Sequence, residues 1–212
     1  MAGPGAVRVR VDRELVRRGL VRSREEALAA VTANRVQVDG APVRKPSTLV
    51  RADQRLVVGG PPPRFVSRGG EKLAHGLARF AGDGVDPTGL HVLDAGMSTG
   101  GFTDCLLQAG ARAVVGVDVG YGQVAERLRR DPRVRVLERT NIRSLSRDRF
   151  GGPVDAAVAD LSFISLVTVL PVVLPLVAGE WAVVLVKPQF EVGREALGRG
   201  GVVRDPDGWR PA

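Results

Sequence analysis

An α/β architecture is expected over residues 69–212 of this 212-residue chain, with a parallel sheet carrying helices on both faces and a small α+β module in front of it. Three features carry that expectation. From residue 71 to residue 187, strand-like and helix-like patterns alternate. The net charge of +8 sits in the first third: residues 1–70 hold 14 basic and 6 acidic side chains, and residues 71–212 hold 17 of each. Between the two regimes stands Pro61-Pro62-Pro63, a stiff and extended spacer. The expected organisation is a basic module over 1–60, a spacer over 61–68 and a larger domain over 69–212.

Composition sets the outer bounds. A chain that is 44% hydrophobic and 25% charged is an ordinary globular protein, which excludes a fibrous architecture and long-range disorder. A single cysteine, Cys105, excludes an intrachain disulfide framework and a multi-cysteine zinc site, so no metal is expected. A reducing compartment fits that count. Met1 to Val11 lacks an apolar signal segment, which points to the cytoplasm. Ser165 to Val186 reaches the roughly 20 residues of a membrane span. Pro171, Pro175 and Gly179-Glu180 interrupt it, so it reads as a buried helix, a turn and a buried strand from Trp181 to Val186. No membrane contact is expected.

In the basic module, Asp12 is expected to cap a short helix that Gly19 ends. Ser23-Arg24-Glu25-Glu26 opens a second helix as a capping box. Leu15, Leu20, Ala27, Leu28 and Val31 supply the apolar stripe between them. Arg35 to Gly40 alternates like a strand and ends in a turn, and Leu56 to Val58 closes the unit. Arg8, Arg10, Arg13, Arg17, Arg18, Arg22 and Arg24 crowd the helices and their entry, against only Asp12 and Glu14. Guanidinium forks match phosphates and stack on bases, so an RNA partner is expected.

The order Arg10-x-Asp12-x-x-Leu15-x-x-x-Gly19, Ser23-Arg24-x-x-Ala27, Arg35-Val36-x-Val38-Asp39-Gly40 and Lys45-Pro46 resembles the S-four domain of ribosomal proteins over residues 7–58. The resemblance implies binding of structured RNA through phosphate and shape. Arg35 and Lys45 join the basic set, as do Arg64 and Arg68 beyond the spacer.

In the larger domain an opening helix carries Leu73, Leu77 and Phe80. Strands are expected at His91–Asp94, Ala113–Asp118, Val134–Glu138, Asp155–Asp160 and Trp181–Lys187, and helices near Gly101–Ala109, Gln123–Arg130 and Ile164–Val177. The first strand runs into Asp94-Ala95-Gly96-Met97-Ser98-Thr99-Gly100-Gly101-Phe102. Such a turn lets a ligand approach backbone N–H groups at a helix start. Its glycine spacing departs from the G-x-G-x-x-G of dinucleotide sites, and a pyrophosphate sits poorly beside Asp94. A sulfonium donor with an amino-acid head, S-adenosylmethionine, tolerates that acid. Asp118 ends the second strand, where an acid accepts both ribose hydroxyls of an adenosine, and Asn141 follows the third strand at the adenine edge.

Asp160 and Lys187 follow two strands that, if adjacent and parallel, meet at the carboxyl edge; Lys72 in the opening helix closes the same pocket. The chain has 28 arginines and three lysines, Lys45, Lys72 and Lys187. Lysine can give up its proton and arginine cannot, so two of three lysines at one suspected pocket favour base chemistry.

DAGMSTGGFTDCLL, VDVGYGQ, LERTN, ADLSFISL and LVKPQFEVG, in this order after the S-four-like module, resemble the TlyA family, also known as hemolysin A, over essentially the whole chain. The resemblance implies a Rossmann-like class I methyltransferase sheet of the FtsJ type and 2′-O-methylation of cytidine in ribosomal RNA or ribosomal subunits, with S-adenosylmethionine as cofactor. Of the Lys-Asp-Lys-Glu set it implies, Lys72, Asp160 and Lys187 match the first three, and Glu191 belongs to another motif. The fourth member is expected beyond residue 212, and Asp205-Pro206 reads as a helix start, so the chain is expected to be C-terminally truncated, lacking the last strands. Phe163 and Arg68 are expected to hold the target nucleotide. Three other classes compete: a non-catalytic ribosome-associated RNA binder, a membrane-damaging hemolysin, and a dinucleotide oxidoreductase. The glycine spacing disfavours the last, and the interrupted apolar segment disfavours the hemolysin.

Overall fold

The computed structural model describes residues 8–21, 23–61, 63–150, 152–192, 197, 198 and 203. The chain divides into two compact units, Met1–Arg64 and Phe65–Ala212. The expected spacer ends early: Phe65 is buried in the second core, because its ring fills the space above Gly70.

The first unit runs β1 (Arg8–Arg10), α1 (Val11–Arg17), α2 (Arg24–Thr32), β2 (Val36–Val38), β3 (Ala41–Pro42), β4 (Leu49–Arg51) and β5 (Leu56–Val58). β1 pairs antiparallel with β4, and β2 lies between β3 and β5 in a second antiparallel sheet. Val11, Leu15, Ala27, Ala30, Val31, Val36 and Val50 form its core. Two expected stripe residues do not join it: Leu20 is 40% and Leu28 39% exposed. α1 has ended before Leu20, and the chain reverses at Gly19 (φ 68°), with Leu20 N–H donating to Leu15 O and Gly19 N–H to Val16 O. On α2 the buried face is Ala27, Ala30 and Val31, and Leu28 stands about 100° round from Ala27. The Ser23 hydroxyl does accept from Glu26 N–H, at 3.1 Å. Asp12 is not the cap; Arg10 holds that position and Asp12 lies inside the first turn, fully buried.

That burial organises the basic face. Asp12 accepts from Arg10, Arg24 and the Arg13 N–H, and Glu14, also buried, accepts from Arg17 and Arg18. Arg18 also donates to the carbonyls of Arg51, Ala52 and Gln54, tying α1 to the β4–β5 turn. The Arg10 hydrogen bond holds the Asp12 carboxyl down at about 2, against the opposing effect of burial. The Arg17 hydrogen bond does the same for Glu14, also to about 2. Both folded values are depressed, so the stability they contribute is present above the ordinary carboxylate range and is lost as pH falls towards 2. Each contributes on the order of 2 kcal/mol at neutral pH. In an acid titration followed by the Val31 and Val36 amide resonances, the folded signals should fade between about pH 4 and 2. Asp12→Asn with Glu14→Gln should be less stable at neutral pH and show a flatter dependence.

The second unit runs α3 (Gly69–Phe80), β6 (His91–Ala95), α4 (Gly101–Gln108), β7 (Ala113–Val117), α5 (Glu126–Arg129), β8 (Val134–Leu137), β9 (Val154–Ala159), α6 (Leu166–Val173), β10 (Val177–Val184) and α7 (Pro188–Glu191). Among the described residues its sheet has five strands, all parallel, in the order β10-β9-β6-β7-β8. The chain starts at the centre, winds outward through β7 and β8, then returns to β9 and winds the other way. The crevice of such a sheet lies where the winding reverses, at the carboxyl ends of β6 and β9. Successive strand residues feed opposite faces: Val92, Val114 and Val158 pack with Leu73, Phe102 and Leu106, while Leu93, Val115 and Ala157 pack with Phe150, Val169 and Val173.

Two elements differ from expectation. β10 runs from Val177 to Val184, not Trp181 to Lys187: the expected turn is a bulge, with Val177 paired to Val154, Trp181 to Ala156 and Gly179 (φ 115°) absorbing the extra residues, and Lys187 lies past the strand as the cap of α7. The helix expected from Gln123 shrinks to the single turn of α5. No helix among the described residues is long and apolar enough to cross a membrane. The helix start expected at Asp205-Pro206 lies outside the described residues.

Candidate active site

Two adjoining clefts open at the carboxyl ends of the strands. One, of about 590 Å³, is lined by Ser67, Arg68, Lys72, Met97, Thr99, Gly101, Phe102 and Lys187; the other, of about 550 Å³, by Asp118, Gln123, Asn141 and Phe163. Gly96, Ser98, Asp160 and Ser162 line both.

The turn between β6 and α4 forms their shared wall. The N–H groups of Gly96 and Met97 both donate to Val117 O, lashing the turn to β7. Gly96 (φ 86°) is the position that no other residue fits, since a Cβ there would lie 2.9 Å from Asp160 O. A Cβ on Gly101 would come within 2.2 Å of Ser67 Oγ, so that glycine lets α4 approach the entry to α3. Asp104 fastens the same entry by accepting from Val66 N–H at 2.8 Å, and it pairs with Arg127.

The expected donor-binding residues divide into two groups. Gly96, Ser98, Thr99, Gly101, Phe102, Asp118 and Asn141 line the clefts. Asp118 accepts from Ser98 N–H at 2.8 Å and from Gly120 N–H at 2.7 Å, which joins the two ligand loops. Asn141 accepts from Arg143 N–H and caps a short turn. Asp94, Ala95 and Gly100 are buried behind the wall; the Ala95 carbonyl accepts from Asp160 N–H at 3.1 Å.

Asp160 is the centre of the charged cluster. Lys72 Nζ lies 2.9 Å from its Oδ2 and Lys187 Nζ 2.6 Å from its Oδ1; Lys187 also donates to Ser162 Oγ at 2.8 Å. The strands bring this about: Ala159 of β9 stands beside Val184 of β10, and Leu185 N–H donates to Ala159 O, so both chains leave the sheet side by side. Lys72 enters from the first turn of α3. Burial alone would push the Asp160 carboxyl up, but Lys187 and Lys72 outweigh it and hold it below the ordinary carboxylate range. Glu191 is elsewhere, its carboxylate accepting from Ser165 Oγ and Leu166 N–H. Phe163 is 90% exposed, with φ 63° and its ring 5.2 Å from that of Phe190.

The structure places the other expected RNA-binding residues as follows. Arg68 lines the first cleft, and Arg8, Arg13, Lys45 and Arg64 are solvent-facing or partly so. Arg10, Arg17, Arg18 and Arg24 are held by Asp12 and Glu14, while Arg35 donates to the Gly59 and Gly60 carbonyls. Arg22 lies outside the described residues. Sequence reasoning missed Ser162, Ser67 and Thr103. Ser162 was findable, two positions after Asp160; the other two act only through tertiary packing.

Asp94 stands apart in its electrostatics. Its Oδ2 accepts from Thr103 Oγ1 at 2.7 Å, and its Oδ1 has no partner among the described residues. Burial, opposed by Thr103 and reinforced by the charges of Asp160 and Asp118, pushes this carboxyl up to about 7. The folded protein therefore keeps a proton that the unfolded chain releases near 4, and the resulting stability is lost as pH rises through 7. Between pH 5 and 8, the thermal midpoint of the unit should fall less in Asp94→Asn than in the wild type, measured by scanning calorimetry.

Comparison with known proteins identifies the family of both units. Residues 65–207 match the FtsJ-like methyltransferase family and residues 9–56 the S4 domain. The chain is 54% identical over 203 residues to TlyA of Mycobacterium tuberculosis, a 16S/23S rRNA (cytidine-2′-O)-methyltransferase, covering 95% of this chain and 75% of that protein. It is 47% identical over 199 residues to YqxC of Bacillus subtilis, covering 93% and 70%. A solved structure from Streptococcus thermophilus, described as a hemolysin, superposes with a TM-score of 0.69 at 39% identity, covering 96% of this chain and 74% of that one. The chain belongs to the FtsJ-like methyltransferase family, in the TlyA group that joins an S4 domain to that fold.

Proposed function

We propose that the protein transfers a methyl group from S-adenosylmethionine to the 2′-hydroxyl of a cytidine in ribosomal RNA, in the cytoplasm, with the first unit gripping folded RNA. The observation that carries this reading is the Lys72–Asp160–Lys187 cluster on the lip of a glycine-walled cleft. TlyA of Mycobacterium tuberculosis is named for that reaction.

The residues present suit the donor. The Gly96–Gly101 turn presents backbone and the small side chains of Ser98 and Thr99 to the first cleft, and Asp118 and Asn141 line the adjoining one, where ribose hydroxyls and an adenine edge find acceptors. Bound there, S-adenosylmethionine supplies a methyl group on a sulfonium. The chain's own residues do the rest. Lys187, placed by Asp160 and Ser162, orients the ribose hydroxyl and in its neutral amine form takes the hydroxyl proton as the oxygen attacks the methyl carbon and the sulfur leaves as a thioether. Lys72 stabilises negative charge on that oxygen. As Lys187 takes that proton, two ammoniums come to share one carboxylate, and the surplus positive charge offsets the negative charge developing on the oxygen. Alignment matters as much as charge, because the displacement is in-line. Phe163 offers its exposed ring to the target base and Arg68 contacts the flanking phosphate. Arg8 and Arg13, with the outward N–H groups that Arg10, Arg17 and Arg24 keep beyond their carboxylate pairs, meet RNA phosphates, while Arg18 and Arg35 brace the module that presents them.

Transfer of tritiated methyl groups to unmodified ribosomal subunits tests the proposal. Lys187→Ala should reduce turnover about 10²–10⁴-fold with donor binding retained. Asp118→Ala should weaken donor binding by about tenfold or more, measured by calorimetry. Wild-type turnover in Lys187→Ala would refute the assignment.

A further inference from the structure

We infer that Glu191 is a positioning residue for the active site, clasping the loop after β9 to the loop after β10 and thereby setting where Lys187 stands against Asp160. The inference rests on the reading of Lys187 and Asp160 given above.

The need for a clasp follows from the sheet. β9 ends at Ala159 and β10 at Val184, and Leu185 N–H to Ala159 O is the last backbone bond between the two chains among the described residues. Asp160, Ser162 and Lys187 all lie past that point. Their spacing to a tenth of an ångström is no longer fixed by the ladder, so side chains must fix it.

Glu191 is placed to do so. Its Oε2 accepts from Ser165 Oγ at 2.7 Å and its Oε1 from Leu166 N–H at 2.9 Å. Ser165 Oγ in turn accepts from Val167 N–H, so the anchor point is the start of α6. Between anchor and amine lies one rigid turn. Lys187 immediately precedes α7, Pro188 fixes φ there, and Phe190 N–H donates to Lys187 O at 2.8 Å. A displacement of Glu191 is thus passed to Lys187. Phe190 adds a second tie through its ring contact with Phe163, whose left-handed φ of 63° is unusual for a bulky residue. One carboxylate and one ring pair therefore close a loop of contacts around the cluster: Asp160 to Lys187, Lys187 to Glu191 through α7, and Glu191 back to Ser165.

A carboxylate that only capped α6 would affect stability alone. A positioning carboxylate affects turnover and the surroundings of the lysine. The test compares Glu191→Ala, Glu191→Gln and Ser165→Ala with the wild type in the full chain. It measures kcat and donor KM on ribosomal subunits, the thermal midpoint, and the side-chain Nζ resonances of ¹⁵N-lysine-labelled protein. Only three lysines are present, so the signals are assigned by single substitutions. Glu191→Ala should lower kcat by about 10–100-fold with donor KM within about twofold. It should also shift the Lys187 resonance while leaving that of Lys45 in place. Glu191→Gln, which keeps a carbonyl acceptor, should recover most of the loss, and Ser165→Ala should show an intermediate effect. An unmoved Lys187 resonance in both Glu191→Ala and Ser165→Ala overturns the inference, as does an equal fall of kcat and donor affinity with the thermal midpoint. Should the wild type transfer no methyl group, the proposed function fails, and the Lys187 resonance still decides the clasp.

Discussion

Asp160 carries an ammonium on each of its oxygens, Lys72 on one and Lys187 on the other. A partly buried carboxylate is costly unless it is paired, and a pair of amines this close repel unless an anion separates them. Each member of the cluster is therefore the condition for the others. Remove the carboxylate and the lysines lose their fixed positions; remove a lysine and the acid loses the charge that holds it ionised. The chemistry proposed for this protein needs that mutual dependence, because a single ribose hydroxyl must be held, relieved of its proton and aligned at once.

The sheet supplies the precision. Parallel strands in the order β10-β9-β6-β7-β8 place the glycine turn, Asp118, Asp160 and Lys187 on one edge, although they are up to 93 residues apart between Asp94 and Lys187. Close approach does the fine placement. Gly96 lets the donor wall lie against the Asp160 backbone, and Gly101 lets α4 meet the segment that leads to Lys72. The donor wall and the amine cluster are thus built from the same few contacts, which is how one cleft can serve both substrates of a transfer.

Much of this was legible beforehand, for identifiable reasons. Asp118, Asp160 and Lys187 could be placed because the ends of parallel strands are where ligands bind, and a hydrophobic run ends at or just before each of them. The meeting of Asp160 with Lys187 needed only that β9 and β10 be neighbours. The start of β10 was not legible, because an apolar run has no period and Gly179 serves a turn or a bulge equally well. β1, β3 and β4 are two or three residues long, too short to show alternation. The burial of Asp12 and Glu14 was hidden as well: nothing local distinguishes an acid that neutralises a basic surface from one that hinders it. Pairs such as Thr103 with Asp94, and Glu191 with Ser165, depend on packing between distant segments and leave no trace in the residue order.

The interdependence of the cluster can be measured by a double-mutant cycle on Asp160→Asn and Lys187→Met, using single-turnover methyl transfer to unmodified ribosomal subunits. If one carboxylate organises the amines into a single unit, the double variant is no slower than the worse single variant. Losses that multiply, each substitution taking its own independent toll, would contradict the account.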